Sequence, residues 1–332
     1  MKKYLLSLVF AFFSLGTFAF NKEDFSFSLE PVMGLKNTRL DEYVFYKDSI
    51  YPTDKLSELN WEIKNEFFMG TNITGNWKNF FIQTGFTFAI PKNGGNMKDS
   101  DWLNIYLPNQ WWNLYKTNYS EHDLKLNHDF SFNFKTYYEF QLKEKFSIKP
   151  AFLFDYKDTK ATAKGGTCWY GNGIYDEENK PIFWYPYNDP SNSEIFNMNG
   201  DNVSYRRASY ILWLGSDFSF SPSEQVEIGA GFFFSPYTYA LSYDTHFQRN
   251  LKFADLTIGY FAAFKGNLNI AYKITKKHAF SLSADFFRMK TIRGKSYTKP
   301  AENSHYSTDN SSESGAGERS FALTLAYKVK LL

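Results

Sequence analysis

The spacing of apolar residues limits this chain more than any other feature. At Phe130, Phe132, Phe134, Tyr138, Phe140 and Leu142 the even positions are apolar, and Ser131, Asn133, Lys135, Glu139 and Gln141 lie between them. The pattern repeats at Phe146, Ile148, Phe152, Phe154 and Tyr156, at Leu212, Leu214, Phe218 and Phe220, and at Val226, Ile228, Phe232 and Phe234. It continues through Leu256, Ile258, Tyr260 and Phe264, Leu268, Ile270 and Tyr272, then Phe280, Leu282 and Phe286, and closes on Phe321, Leu323, Leu325, Tyr327, Val329 and Leu331. A strand sends successive side chains to opposite faces, so period two means strands with one apolar face. No helical period follows the first twenty residues, and the expected fold is all-β and antiparallel.

The connections give the topology. Short ones lie near 76–79, 143–145, 221–224 and 275–277. Long ones, rich in Gly, Asn, Asp, Pro and Ser, run over 42–57, 92–123, 160–204, 242–251 and 291–317. Long and short alternate strictly. That is the pattern of a bacterial outer-membrane barrel, with short turns inside and longer loops outside. The count predicts a ten-stranded antiparallel transmembrane β-barrel with both termini on the periplasmic side, forming one domain over 20–332. Runs such as 251–274 exceed the ~9–11 residues that cross the hydrocarbon. Their excess is expected to stand above the outer leaflet as a collar.

Composition agrees. Aromatic residues make up 20% of the chain, with 36 Phe and 24 Tyr, an abundance suited to a lipid-facing wall and its girdles. The start, Met1-Lys2-Lys3, an apolar run over 4–15, then Gly16-Thr17-Phe18-Ala19, reads as a signal peptide cut after Ala19. The sole cysteine, Cys168, rules out an internal disulfide. The net charge of +2 argues against a nucleic-acid surface.

Two polar stretches carry candidate chemistry. Gly94-Gly95-Asn96-Met97-Lys98-Asp99-Ser100-Asp101-Trp102 sets two carboxylates two positions apart, hence on one face of an extended segment. Asp244-Thr245-His246 has the same spacing. The order of loops and turns puts both stretches on the outer rim, Asp99 and Asp101 in the second long loop and Asp244 and His246 at the start of the fourth. A barrel this size is only ~15–20 Å across, so the two segments can face one another over a groove. A carboxylate beside a His holds it and makes it more basic, and a water between that His and an opposing Asp is a nucleophile for peptide hydrolysis. Cys168 has no His beside it, and a zinc site would want more His or Cys ligands and an HExxH-like spacing, so no metal is expected. Trp111-Trp112 reads as an aromatic rim.

These motifs together resemble the omptin family of outer-membrane proteases. The Gly94–Trp102 stretch is similar to the family's most distinctive motif, and Asp244-x-His246 to its dyad. Ser57-Glu58-Leu59-Asn60-Trp61 is similar to a Ser-Gln-Leu-Asp-Trp segment, with two departures, and Lys164-Gly165-Gly166 to a Gly-Gly in the third loop. The resemblance implies an aspartate couple, Asp99 with Asp101, and a water-activating couple, Asp244 with His246. It implies cleavage of peptides or proteins between basic residues at the cell surface, no cofactor, a lipopolysaccharide-like lipid on the wall as activator, and a monomer. In substrate binding it matches Glu42 to an acid of the first loop, while Ser242 stands where a second acid is expected, which weakens the preference for Arg or Lys. Arg206 and Arg207 are the nearest basic candidates for lipid. The competing reading is a non-catalytic barrel, an adhesin or a small pore.

Overall fold

A computed structural model describes residues 24–47, 54–107 and 114–331. The expected signal peptide and the Trp111-Trp112 rim lie outside the described residues.

Ten wall strands follow one another. They are β1 (Phe25–Tyr46), β2 (Lys55–Trp77), β3 (Phe80–Ala89, resuming as Lys92–Asp101) and β4 (Asn118–Tyr138, continued by Phe140–Lys143). Next come β5 (Phe146–Gly171), β6 (Asp201–Phe220), β7 (Val226–His246) and β8 (Leu251–Gly259, resuming as Ala263–Lys273). Strands β9 (His278–Pro300) and β10 (Ser307–Lys330) complete the wall. Each pairs antiparallel with its neighbour in sequence, and β10 pairs with β1 from Lys330 opposite Ser28 to Ser312 opposite Tyr46. The ring is closed, so no edge is left unpaired.

Outward side chains form an apolar wall. Met33, Leu35, Phe86, Phe88, Leu214, Phe218, Phe232, Leu268, Ile270, Leu282 and Leu323 are all exposed. An upper girdle crosses four adjacent strands, with ring centroids 6.2 Å apart for Phe130–Tyr156, 5.0 Å for Tyr156–Tyr210 and 5.8 Å for Tyr210–Tyr239. From Tyr210 to Phe220, near the turns, β6 rises about 25 Å at ~3.3 Å per residue and ~40° tilt, the height of a bilayer's apolar band. No helix among the described residues is long and apolar enough to cross a membrane.

The wall continues well above the girdle. β5 runs for 26 residues, more than twice the crossing length. Much of the expected long loops is therefore strand: 92–101 and 118–123 belong to the wall, as do 160–171, 291–300 and 307–317. The alternation fades there because the outward face of the collar meets water in place of lipid, while the backbone ladder needs no apolar side chain to persist. The third connection also carries a small hairpin, Gly173–Tyr175 with Pro181–Trp184, and a segment, Ser193–Asn197, paired to the end of β5.

The lumen is filled in two layers. At membrane height, Lys36 lies 2.9 Å from both Glu66 and Asp129, Lys157 lies 2.9 Å from Glu318, Lys265 lies 2.6 Å from Asp155, and Lys135 pairs with Asp217. Above them sits a dry floor of Leu40, Leu59, Trp61, Ile63, Met97, Leu124, Leu126 and Tyr205, all buried. This packing gives the small-pore reading no support.

Candidate active site

The site rests on this floor, and strands build it. Gly95 shapes the β3 side. Its φ is +102°, and a Cβ there would meet the Glu62 carbonyl oxygen at 1.8 Å, so only glycine fits. A bulge between Asn93 and Asn96, opposite Lys125 and Asp123, re-aims the strand. Beyond it Asp99 stands between Leu59 and Ser120, and Asp101 between Ser57 and Asn118. Both carboxylates are half-buried and share a face, as their spacing predicts. They sit on a strand, whereas the sequence alone suggested a loop.

The Ser57 hydroxyl lies between the two, 3.5 Å from Asp99 Oδ1 and in reach of Asp101. Burial pushes the Asp99 carboxyl well above its usual range, and the charges of Asp101 and Asp244 push it the same way. Burial also raises Asp101, while hydrogen bonds from Ser57 and Asn118 and the nearby Arg249 and His246 pull it back. Two acids this close and this dry favour sharing one proton.

Opposite, β7 ends on the second couple. His246 Nε2 is 2.5 Å from Asp244 Oδ2. Asp244 is only 3% exposed, and its Oδ1 has no hydrogen-bond partner among the described residues. The His246 ring meets the edge of Phe253, centroids 5.3 Å apart, which fixes its plane. Asp244 acts electrostatically on Asp99, and His246 on Asp101, so the two couples lie near one another.

Glu42 reaches the same cleft from β1. It is buried, and Trp61 donates to it from Nε1 at 3.2 Å. Trp61 stacks on Tyr205 at 5.4 Å, and the Tyr205 hydroxyl donates to Ser242 Oγ at 2.8 Å. Burial raises Glu42 far above the ordinary carboxylate range, with Asp244 and Asp255 adding to the rise and Trp61 and Arg207 opposing it. Glu42, Ser242, Asp99, Asp101, Asp244 and His246 are thus brought together. Among the described residues no group of three or more His, Cys, Asp or Glu is arranged to hold a metal ion.

A family model described as the Omptin family matches residues 23–331. The chain belongs to the omptin family. It is 26% identical to the plasminogen activator of Yersinia pestis over 255 residues, 74% of this chain and 70% of that protein. It is 24% identical to the outer membrane protease OmpP of Escherichia coli K12 over 263 residues, 75% and 74% of the two chains. In fold it matches the crystal structure of the outer membrane protease OmpT of Escherichia coli, with a TM-score of 0.76 at 18% identity over 95% of this chain and all of that one. This omptin is an all-β barrel of the bacterial outer membrane, and its collar and cleft stand at the end opposite the short turns.

Two other expected residues separate. Arg206 points outward just above the girdle and binds Asp158 through Nε at 2.9 Å and Nη2 at 2.6 Å. Arg207 points inward and is 2% exposed, so it does not meet lipid. It crosses the lumen to the carbonyls of Gly317 at 2.6 Å and Asp41 at 2.7 Å. Gly165 of the Lys-Gly-Gly segment has a φ of +53°, and its carbonyl accepts from Asn202 at 2.6 Å and contacts His122. Sequence reasoning missed Asp255, although it lies on the inward parity of β8, opposite the exposed Ile258.

Proposed function

We propose that this omptin is a surface endopeptidase that cuts peptides next to basic residues with an activated water. The reading rests on one observation: an imidazole–carboxylate couple and a carboxylate couple face each other in a cleft whose floor is dry. His246 accepts the proton of a water, Asp244 holds the ring by its Nε2 side, and the water oxygen attacks the peptide carbonyl carbon. The protonated member of the Asp99–Asp101 couple stabilises the oxyanion, and the ionised member orients the water. His246 then returns the proton to the departing amide nitrogen. No side chain bonds covalently to substrate. Glu42, with Ser242 beside it, receives the neighbouring side chain of the peptide. A lipopolysaccharide-like lipid on the wall, near Arg206, is the proposed activator, and the unit is a monomer without cofactor. The 1–19 segment is proposed to be removed on export.

The test is refolding of the full chain in detergent, with and without lipopolysaccharide, and a fluorogenic peptide containing Arg-Arg or Lys-Lys. Cleavage that drops by orders of magnitude in His246→Ala and Asp99→Asn supports the mechanism. Cleavage indifferent to both changes defeats it.

A further inference from the structure

Position 242 poses a problem for the reading above. Glu42 is the one matched acid of the pocket, and a buried guanidinium, that of Arg207, lies close enough to favour its ionisation and to offset the resulting charge. One carboxylate against one guanidinium leaves a neutral pocket, and a neutral pocket gives a cation no reason to enter. Asp244 does not fill the gap, since it is engaged with His246 at 2.5 Å.

The missing charge sits one strand away. Asp255 on β8 lies directly opposite Ser242 on β7 and Ser296 on β9. It is 9% exposed. Ser296 bonds to it, yet its Oδ1 is buried and has no partner among the described residues. It acts electrostatically on Glu42 from across the pocket, and it feels Asp244, Arg207 and, from the rim, Asp309. Arg207 forms no ion pair with it, because that guanidinium is bonded to Gly317 O, Asp41 O and the Tyr205 hydroxyl. A buried carboxylate oxygen with nothing to accept from is costly to keep. A cationic side chain entering from the cleft would satisfy it.

We propose that Asp255 supplies the second negative charge of the specificity pocket, so that Glu42 and Asp255 together hold an arginine or lysine side chain adjacent to the bond that is cut. With both acids ionised, as an entering cation favours, they outweigh Arg207 by one negative charge. The acid absent from position 242 is thus present across the ladder, and the expectation of a weakened basic preference reverses. This rests on the protease reading, but it can fail alone.

The experiment compares two peptides that differ only in arginine or its neutral isostere citrulline before the cut. For the unmodified protein kcat/KM favours arginine strongly. In Asp255→Asn the arginine-to-citrulline ratio falls at least about tenfold, the cost of removing one buried charge partner. The double change Ser242→Asp with Asp255→Ser moves the acid back across the ladder and restores the ratio, which a purely structural role for Asp255 would not do. An unmodified protein indifferent to arginine, or an Asp255→Asn variant that slows both peptides equally, overturns the proposal. Binding is read separately by titrating the arginine peptide onto full-length His246→Ala protein, with and without Asp255→Asn, the added change weakening binding at least about tenfold. If nothing is cut but this difference appears, the protease reading fails and the pocket stands. If peptides are cut but binding ignores Asp255, the pocket fails and the protease reading stands.

Discussion

The lumen carries charge at two heights and treats it in opposite ways. At membrane height every cation has an acid within bonding range: Lys36 has Glu66 and Asp129, Lys157 has Glu318, and Lys265 has Asp155, which also accepts from Trp213 Nε1 at 2.8 Å. Above the dry floor, Glu42, Asp99, Asp101, Asp244 and Asp255 crowd together with few cations, and two of their oxygens, Asp244 Oδ1 and Asp255 Oδ1, have no hydrogen-bond partner among the described residues. The lower charges balance one another and hold the strands in register. The upper ones are left over, which is tolerable only where something else is meant to meet them. Charge is balanced in the lower layer, and acid is in excess in the upper one.

The comparison breaks most visibly in the upper layer. His246→Ala should lower kcat/KM by about a thousandfold or more, with the thermal midpoint nearly unchanged, since general acid–base catalysis is worth roughly that much. In the lower layer the effects invert. Asp155→Ala strands Lys265 and Trp213 and should cost roughly 3 kcal/mol of stability in denaturant unfolding, because a buried cation loses its acid. Its protease activity at low denaturant should persist.

A smaller effect follows from pH. Burial, aided by Asp244, pushes Asp255 up to about 7. A carboxyl raised in the folded state binds more protons than in the unfolded chain, so its contribution to stability is present at low pH and lost as pH rises through about 7. The preference for arginine over citrulline runs the other way, growing as the carboxyl ionises between about pH 6 and about pH 8. Asp255→Asn should flatten both profiles, and thermal melts and peptide ratios across that range check it. The smallest effect is expected at Trp61→Phe. It keeps the stack on Tyr205 but removes the bond to Glu42, which is worth about 1 kcal/mol, and should change arginine selectivity by less than about tenfold.

Much of this was legible in the sequence. Phe130, Phe132 and Phe134 announce a strand with one face in lipid because lipid demands an unbroken apolar row, and the short turns between such rows count the wall. Asp99 with Asp101 and Asp244 with His246 could be paired because each couple keeps period-two spacing whether or not the ladder around it is recognised. The collar was not legible as strand, since the outward face of 92–101 and 291–300 meets water in place of lipid and their inward face carries polar residues such as Asp99, Asp101 and Ser296, which removes the contrast on which periodicity depends. Asp255 was not legible either. Its relation to Ser242 exists only through the register of β7 against β8, and no single-chain pattern encodes which residues a ladder sets side by side. The roles of Arg206 and Arg207 turned on one step of parity, which the structure resolves and adjacency in the chain does not.

The layer of Leu40, Trp61, Met97, Leu126 and Tyr205 beneath the cleft has a consequence for traffic. It makes the molecule a bowl instead of a tunnel. Whatever enters from the surroundings must depart by the same opening, fragments included, and the cell interior gains no passage through it. Such a vessel can work on passing chains for as long as it sits in the envelope without ever compromising the barrier that carries it.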